Sequence, residues 1–166
     1  MIELDQSLQT PALWRTALHQ RLPLLGHRNW IVVADSAYPS HCKAGIQSIC
    51  TGETHLAVIE ETLSVLQQCP HIRPHIMLDE ELDLIQEADA PGIDAHRREL
   101  NRLLGDYPLE THPHNGLIEQ VDAAARLFEI LLLKTTITLP YTSIFLQLKC
   151  GYWSDAQEAK LRNAIY

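Results

Sequence analysis

The chain has 166 residues, enough to bury a core within one domain, and its 46% hydrophobic and 20% charged residues are typical of a globular protein. The net charge of -8 argues against nucleic acid or an anionic membrane as a partner, because both need a basic protein surface. The sequence shows no signal peptide, no membrane-spanning apolar run and no CxxC pair among its four cysteines. We therefore expect a cytoplasmic protein with reduced thiols, in which residues 1–166 form a single domain.

The first half of the chain predicts two helices and three strands. Thr10 is the predicted cap of the opening helix, which must end before Pro23 because a residue that precedes proline avoids the helical region. The apolar and largely β-branched run from Trp30 to Ala34 predicts a strand buried on both faces. The pattern further predicts a strand at 46–50, a helix at 54–68 and a strand at 74–78.

The second half predicts a helix at 94–104 with Gly105 as its cap, a loop at 111–116, a helix at 117–128, strands at 129–135 and 143–150, and a terminal helix at 154–164. We interpret the acidic segment 79–89 as solvated surface. Strands that alternate with helices predict a three-layer α/β/α domain with a central mixed sheet.

Asp35 comes directly after the first predicted strand. Ligand sites of open α/β sheets lie outside the carboxyl ends of such strands, so Asp35 is a candidate binding residue. An aspartate at this point is equally typical of a turn or a helix cap, and the pattern alone leaves both interpretations open.

Two motifs, taken together and in this order, resemble those of the D-ribose pyranase and L-fucose mutarotase (RbsD/FucU-like) family. The first consists of Gly26-His27, Asp35 and Pro39; the second is the segment from Pro140 to Leu146, followed by Lys149-Cys150-Gly151. The resemblance covers about residues 10–152, so the predicted helix within 153–166 lies outside it. It implies a three-layer α/β/α fold like that of the family.

The resemblance also implies an activity and an assembly. The family interconverts the anomers and ring forms of monosaccharides such as ribose and fucose without a cofactor, and its members form ring-shaped homo-oligomers, commonly decamers. Carried over to this chain, His27 is the proton donor and Asp35 binds the sugar. Tyr141, Ser143 and the backbone around Thr142 complete the pocket.

A further sugar-binding histidine or arginine of the family has no single counterpart here. Ungapped counting from the second motif places Glu119 at that position, whereas the nearby loop offers His112 or His114. The chain also departs from the family at Asn29, where aspartate is usual, and at Ser143, where asparagine is usual.

The chemistry of mutarotation suits the residues of these motifs. Opening a cyclic hemiacetal requires one group to take the proton of the anomeric hydroxyl and another to give a proton to the ring oxygen. Histidine can do either near neutral pH, and a carboxylate or a tyrosine can bind sugar hydroxyls. No phosphate-binding loop or GxSxG motif suggests other chemistry. A histidine after glycine can also be only a helix cap.

Two other functions fit parts of the sequence. Metal ligands could come from scattered side chains, although HExxH and paired CxxC motifs are absent. These side chains are His41, Cys42, His71, His75, His112 and His114. A monosaccharide-binding protein without turnover would explain the departures at Asn29 and Ser143. Because His27 and Asp35 bracket one strand, we also expect the site to be completed by a neighbouring subunit.

Overall fold

A computed structural model of the protein describes residues 11–165, so the predicted cap at Thr10 lies outside the described residues. The helices are α1 (Pro11–Arg21), α2 (His55–Gln67), α3 (Ile93–Leu104), α4 (His114–Ala124) and α5 (Asp155–Ile165). The strands are β1 (Trp30–Ala34), β2 (Ile46–Cys50), β3 (Ile72–Asp79), β4 (Leu109–His112), β5 (Ile130–Lys134) and β6 (Ile144–Cys150). No helix within this range is long and apolar enough to cross a membrane.

The strands form one mixed sheet in the order β2-β5-β1-β6-β3-β4, which confirms the predicted sheet type. Strand β6 runs antiparallel to both of its neighbours, and the other pairs are parallel. The carboxyl ends of β1, β3 and β4 therefore lie at the same edge of the sheet as the amino end of β6.

Helices cover both faces of the sheet, as predicted. Alternate residues of β1 point to opposite sides because successive side chains of a strand alternate. Ile31 and Val33 belong to the apolar cluster beneath α1, α2 and α3, whereas Val32 packs in a second cluster with Leu117 and Val121 of α4. The three-layer α/β/α prediction is thus confirmed.

Strand β4 was not predicted, and α4 begins three residues earlier than expected. The sequence predicts a loop at 111–116, but Leu109–His112 pairs in parallel with the end of β3. The side chains of β4 are exposed or half-buried, so no apolar run marks the strand. Pro113 then caps α4, whose first residue is His114.

Contrary to the prediction, the acidic segment 79–89 is not simply a solvated surface. Asp79 is only 2% exposed and ends β3. The carboxylate of Glu87 accepts the backbone N–H groups of Gly92 and Asp94 at 2.6 and 2.9 Å, where it satisfies donors at the start of α3.

Two buried histidines, His55 of α2 and His96 of α3, face each other with ring centroids 5.2 Å apart. His55 is 1% exposed, and neither of its ring nitrogens has a hydrogen-bond partner in the described part of the chain. The pKa of His55 is lowered to about 3, mainly by burial and in addition by the neighbouring His96, while the backbone of Val33 opposes both. Burial also lowers the pKa of His96.

We expect this pair to make the fold sensitive to acid. In the unfolded chain His55 takes up a proton near its ordinary pKa of 6.5, whereas in the folded protein it stays neutral down to about pH 3. The stability that its neutral form provides is therefore present above pH 6.5 and is lost as the pH falls towards 3, by up to ~1.4 kcal/mol per pH unit.

Urea denaturation between pH 7 and pH 4 measures this effect. The His55→Leu variant should lose free energy of unfolding less steeply than the wild type, because leucine does not titrate. His19→Gln is the control, since the His19 side chain is 52% exposed. Equal slopes for the wild type and His55→Leu would show that His55 does not carry the effect.

Candidate functional site

Polar side chains from four parts of the chain meet at one edge of the sheet. Asp35 follows β1, Asp79 ends β3, His114 begins α4 just after β4, and Ser143 immediately precedes β6. The sheet order brings these four points together because β6 lies between β1 and β3 and runs opposite to both. The carboxyl ends of parallel strands are the usual place for a ligand site in such folds.

Asp35 is held by Ser143 and by its own turn. The Ser143 hydroxyl donates to Oδ2 of Asp35 at 2.8 Å and accepts the Asp35 backbone N–H at 3.1 Å. The backbone N–H of Ala37 donates to Oδ1 at 2.8 Å. Each carboxylate oxygen can accept another hydrogen bond, so Asp35 is fixed in place and still able to bind a ligand hydroxyl.

Asp79 and His114 form a second pair. The Nδ1 atom of His114 lies 2.9 Å from Oδ2 of Asp79, and the Glu81 carboxylate accepts the His114 backbone N–H at 3.0 to 3.1 Å. The pKa of Asp79 is raised to about 6, mainly by burial and in addition by the charges of Glu81 and Asp35, while the nearby His114 opposes the shift. The second carboxylate oxygen of Asp79, Oδ1, is buried without a hydrogen-bond partner within residues 11–165.

Two tyrosines flank these carboxylates. Tyr38 is 3% exposed, and burial together with the charges of Asp79 and Asp35 raises the pKa of its hydroxyl, which has no hydrogen-bond partner among the described residues. Tyr141 is 39% exposed, and its ring meets that of His114 edge-on with centroids 5.3 Å apart. Its φ of 55° is uncommon for a residue other than glycine, and such strained residues cluster at functional sites.

The other predicted sugar-binding residues differ in how they meet this cluster. The hydroxyl of Thr142 donates to the Leu139 carbonyl at 2.9 Å and is therefore engaged outside the cluster. Glu119 is exposed on α4 and makes no hydrogen bond or ion pair with Asp35, Asp79 or His114 in the described structure. Of the candidates for the family's histidine or arginine, His114 is therefore the one that lies in the cluster.

His27 lies away from this cluster, before the amino end of β1. Asn29 holds its turn, because Oδ1 accepts the Gly26 N–H at 2.8 Å and Nδ2 donates to the Glu129 carbonyl at 3.1 Å. The exposed His27 lines a pocket together with residues of β6, with Trp153 of the β6–α5 connection, and with Glu158 and Arg162 of α5. At about 3.3 Å per residue, β1 separates His27 from Asp35 by more than ten ångströms within one protomer.

Asp79, Tyr38 and Glu81 were missed by the sequence reasoning. Asp79 carries the same signal that singled out Asp35, since it ends an apolar run, Ile76 to Leu78, and precedes a 3₁₀ helix. The acidic residues after it hid that signal, because the whole segment was interpreted as surface. Tyr38 lies inside the first motif, but nothing in the sequence indicates that its hydroxyl is buried.

The other histidines that could ligate a metal do not come together in one cluster of the described structure. His75 and His112 both face Glu110 at 3.2 Å, and Nε2 of His71 lies 3.1 Å from the Leu25 carbonyl. Between residues 11 and 165, no group of three or more histidine, cysteine, aspartate or glutamate side chains is placed to hold a metal ion.

Solved structures share this fold. RbsD of Bacillus subtilis, solved with D-ribose, is 19% identical, with a TM-score of 0.56 over 81% of this chain and 92% of that one. The fucose mutarotase of Streptococcus pneumoniae, solved with L-fucose, is 21% identical, with a TM-score of 0.51 over 89% and 98% of the two chains. FucU of Bifidobacterium longum is 15% identical, with a TM-score of 0.50 over 86% and 96%.

The chain therefore has the fold of RbsD and the fucose mutarotases, which supports the resemblance indicated by the two motifs. No family model and no curated protein matches the sequence.

Proposed function

We propose that this protein exchanges the anomers or ring forms of a neutral monosaccharide, such as ribose or fucose, by general acid–base catalysis without a cofactor. The observation that carries the proposal is the cluster of Asp35, Asp79, His114 and Ser143 at one sheet edge of this fold. Its carboxylates, hydroxyls and imidazole can bind sugar hydroxyls and transfer protons near neutral pH.

Each residue has a role in this proposal. Asp35, oriented by Ser143, accepts hydrogen bonds from sugar hydroxyls, and the half-exposed ring of Tyr141 lies against the sugar. The backbone around Thr142 completes the pocket. Because Ser143 already bonds Asp35 on both its donor and acceptor sides, its contribution is mainly to hold that carboxylate in position.

His27 is the proposed proton donor, supplied by a neighbouring protomer. Within one protomer β1 separates His27 from Asp35, and a monosaccharide cannot contact both ends of that strand. A closed ring of subunits, a decamer by resemblance, would repeat one head-to-tail contact and could place the His27 pocket of each protomer against the Asp35 cluster of the next. Residues 1–166 would then act as one mutarotase-like domain per protomer.

Saturation-transfer NMR on a panel of aldoses tests the function, because it reports exchange between sugar ring forms directly. With ribose and fucose first in the panel, we expect the protein to accelerate exchange for at least one sugar. No acceleration for any sugar, under conditions where circular dichroism shows a folded protein, would reject the proposed enzyme.

A sugar-binding protein without turnover is the second candidate, and the separation of His27 from the cluster within a protomer favours it. Calorimetry with the same sugars distinguishes the two functions. Binding without any acceleration of exchange would support the binding protein.

A further inference from the structure

Ring opening of a sugar needs two proton transfers, and His27 accounts for one of them in the proposed function. The anomeric hydroxyl must lose its proton while the ring oxygen gains one. The second group should lie beside Asp35, be able to change its protonation state near neutral pH, and have one nitrogen or oxygen free to face the sugar. The following inference rests on the proposed function and assigns that group.

We propose that His114 is the second proton-transfer group and that Asp79 is its positioning residue. The Nδ1 atom of His114 lies 2.9 Å from the Asp79 carboxylate, and Glu81 anchors the His114 backbone N–H. Because Nδ1 faces Asp79, Nε2 is the atom of His114 that can exchange a proton with a sugar. Nε2 has no hydrogen-bond partner within residues 11–165. About one third of the His114 side chain is exposed, so a ligand can reach the ring.

The charges around the pair suit a base that becomes positive during the reaction. The buried Asp79 lies with Oδ2 beside Nδ1 of His114, Glu81 lies at the backbone of His114, and Asp35 is the other nearby carboxylate. Tyr38 brings an uncharged hydroxyl, and the rings of Tyr141 and His114 meet in a T-shaped arrangement. Burial and the neighbouring carboxylates outweigh the opposing effect of His114 and raise the pKa of Asp79 to about 6, so the carboxylate that holds His114 changes its charge near that pH.

Ring opening moves two protons between the sugar and the two histidines. Nε2 of neutral His114 takes the proton of the anomeric hydroxyl, the electron pair left on that oxygen forms the aldehyde C=O, and the bond from the anomeric carbon to the ring oxygen breaks. The ring oxygen takes a proton from the imidazolium of His27. Ring closure on either face of the aldehyde reverses both transfers, so the protein returns to its starting protonation state without a co-reactant.

The variant His114→Gln tests this role, because glutamine keeps a hydrogen-bond donor and acceptor but cannot transfer a proton. We expect the exchange rate at saturating sugar to fall about 100-fold or more, while the calorimetric Kd changes only a few-fold. Asp79→Asn should lower the rate about 10- to 100-fold, and it should move the limb of the pH–rate profile near pH 6. His112→Gln is the matched control, since the neighbouring His112 faces Glu110 instead, and it should keep the wild-type rate.

Several outcomes overturn the inference. An active wild type whose His114→Gln variant keeps its rate but loses affinity makes His114 a sugar ligand only, and the proposed function survives. An unchanged pH profile in Asp79→Asn removes the positioning role. A wild type that exchanges no sugar removes both the function and the inference.

A spectroscopic measurement on the wild type tests the inference without variants, which could fail to fold. The ¹⁵N shifts of His114 in the folded protein should show the proton of the neutral ring on Nδ1. The opposite tautomer, with its proton on Nε2, would overturn the inference.

Discussion

Replacing His27 with alanine should lower the exchange rate of the substrate sugar by about 100- to 10,000-fold and leave the fold intact. The loss is that expected for removing one general acid or base. The fold should survive because His27 is exposed at a turn that is held by the Asn29 side chain and by the backbone bond from Arg28 to Leu148, neither of which involves the imidazole. Saturation-transfer NMR gives the rate, and circular dichroism with thermal unfolding checks the fold.

The variant His27→Gln separates proton transfer from hydrogen bonding at this position. Glutamine can bond a sugar hydroxyl but cannot give up a proton, so it should be nearly as slow as alanine. A His27→Ala protein that retains close to the full rate would make His27 structural, and the search for a proton donor would return to the cluster around Asp35.

Mixing two inactive variants, His27→Ala and Asp35→Ala, should restore activity once the subunits have been dissociated and reassembled together. If each site takes His27 from one protomer and Asp35 from the next, a random equal mixture makes roughly one quarter of the sites complete. Neither variant alone can form an intact site, so the gain should be large against a background close to zero. The exchange rate of the mixture, compared with that of reassembled wild type, measures it.

A reciprocal mixture provides the control. The double variant His27→Ala/Asp35→Ala, reassembled with an equal amount of wild type, should retain roughly one quarter of the wild-type activity per site if sites are shared, and one half if each protomer builds its own. No recovery in the first mixture, or a fully active monomer by light scattering, would reject shared sites.

The apolar pattern of the sequence predicted most of the fold. The run Trp30 to Ala34 could be recognised because a strand in the middle of a sheet is buried on both faces and needs apolar side chains throughout. Strand β4 could not be recognised, since it lies at the edge of the sheet and its Leu109–His112 side chains are largely exposed. Its existence depends on pairing with β3, a contact that local sequence does not encode.

Sequence motifs predicted some residues of the candidate site, but not which of those residues meet in the fold. Asp35 and Ser143 were singled out by separate motifs, and only the antiparallel pairing of β1 with β6 brings their side chains together across 108 residues. Asp79 was hidden in an acidic segment, and its contact with His114 depends on β3, β4 and α4 following one another at the same sheet edge.

The sequence by itself determined the layers of the domain and the polar residue types available to the candidate site, because periodicity and composition are local properties. The tertiary structure alone decided which of those residues meet. It placed Asp79 beside His114, buried the Asp79 carboxylate so that its pKa rises to about 6, and left His27 at the far end of β1. These outcomes depend on strand order and burial, which arise only when segments distant in the sequence pack against each other.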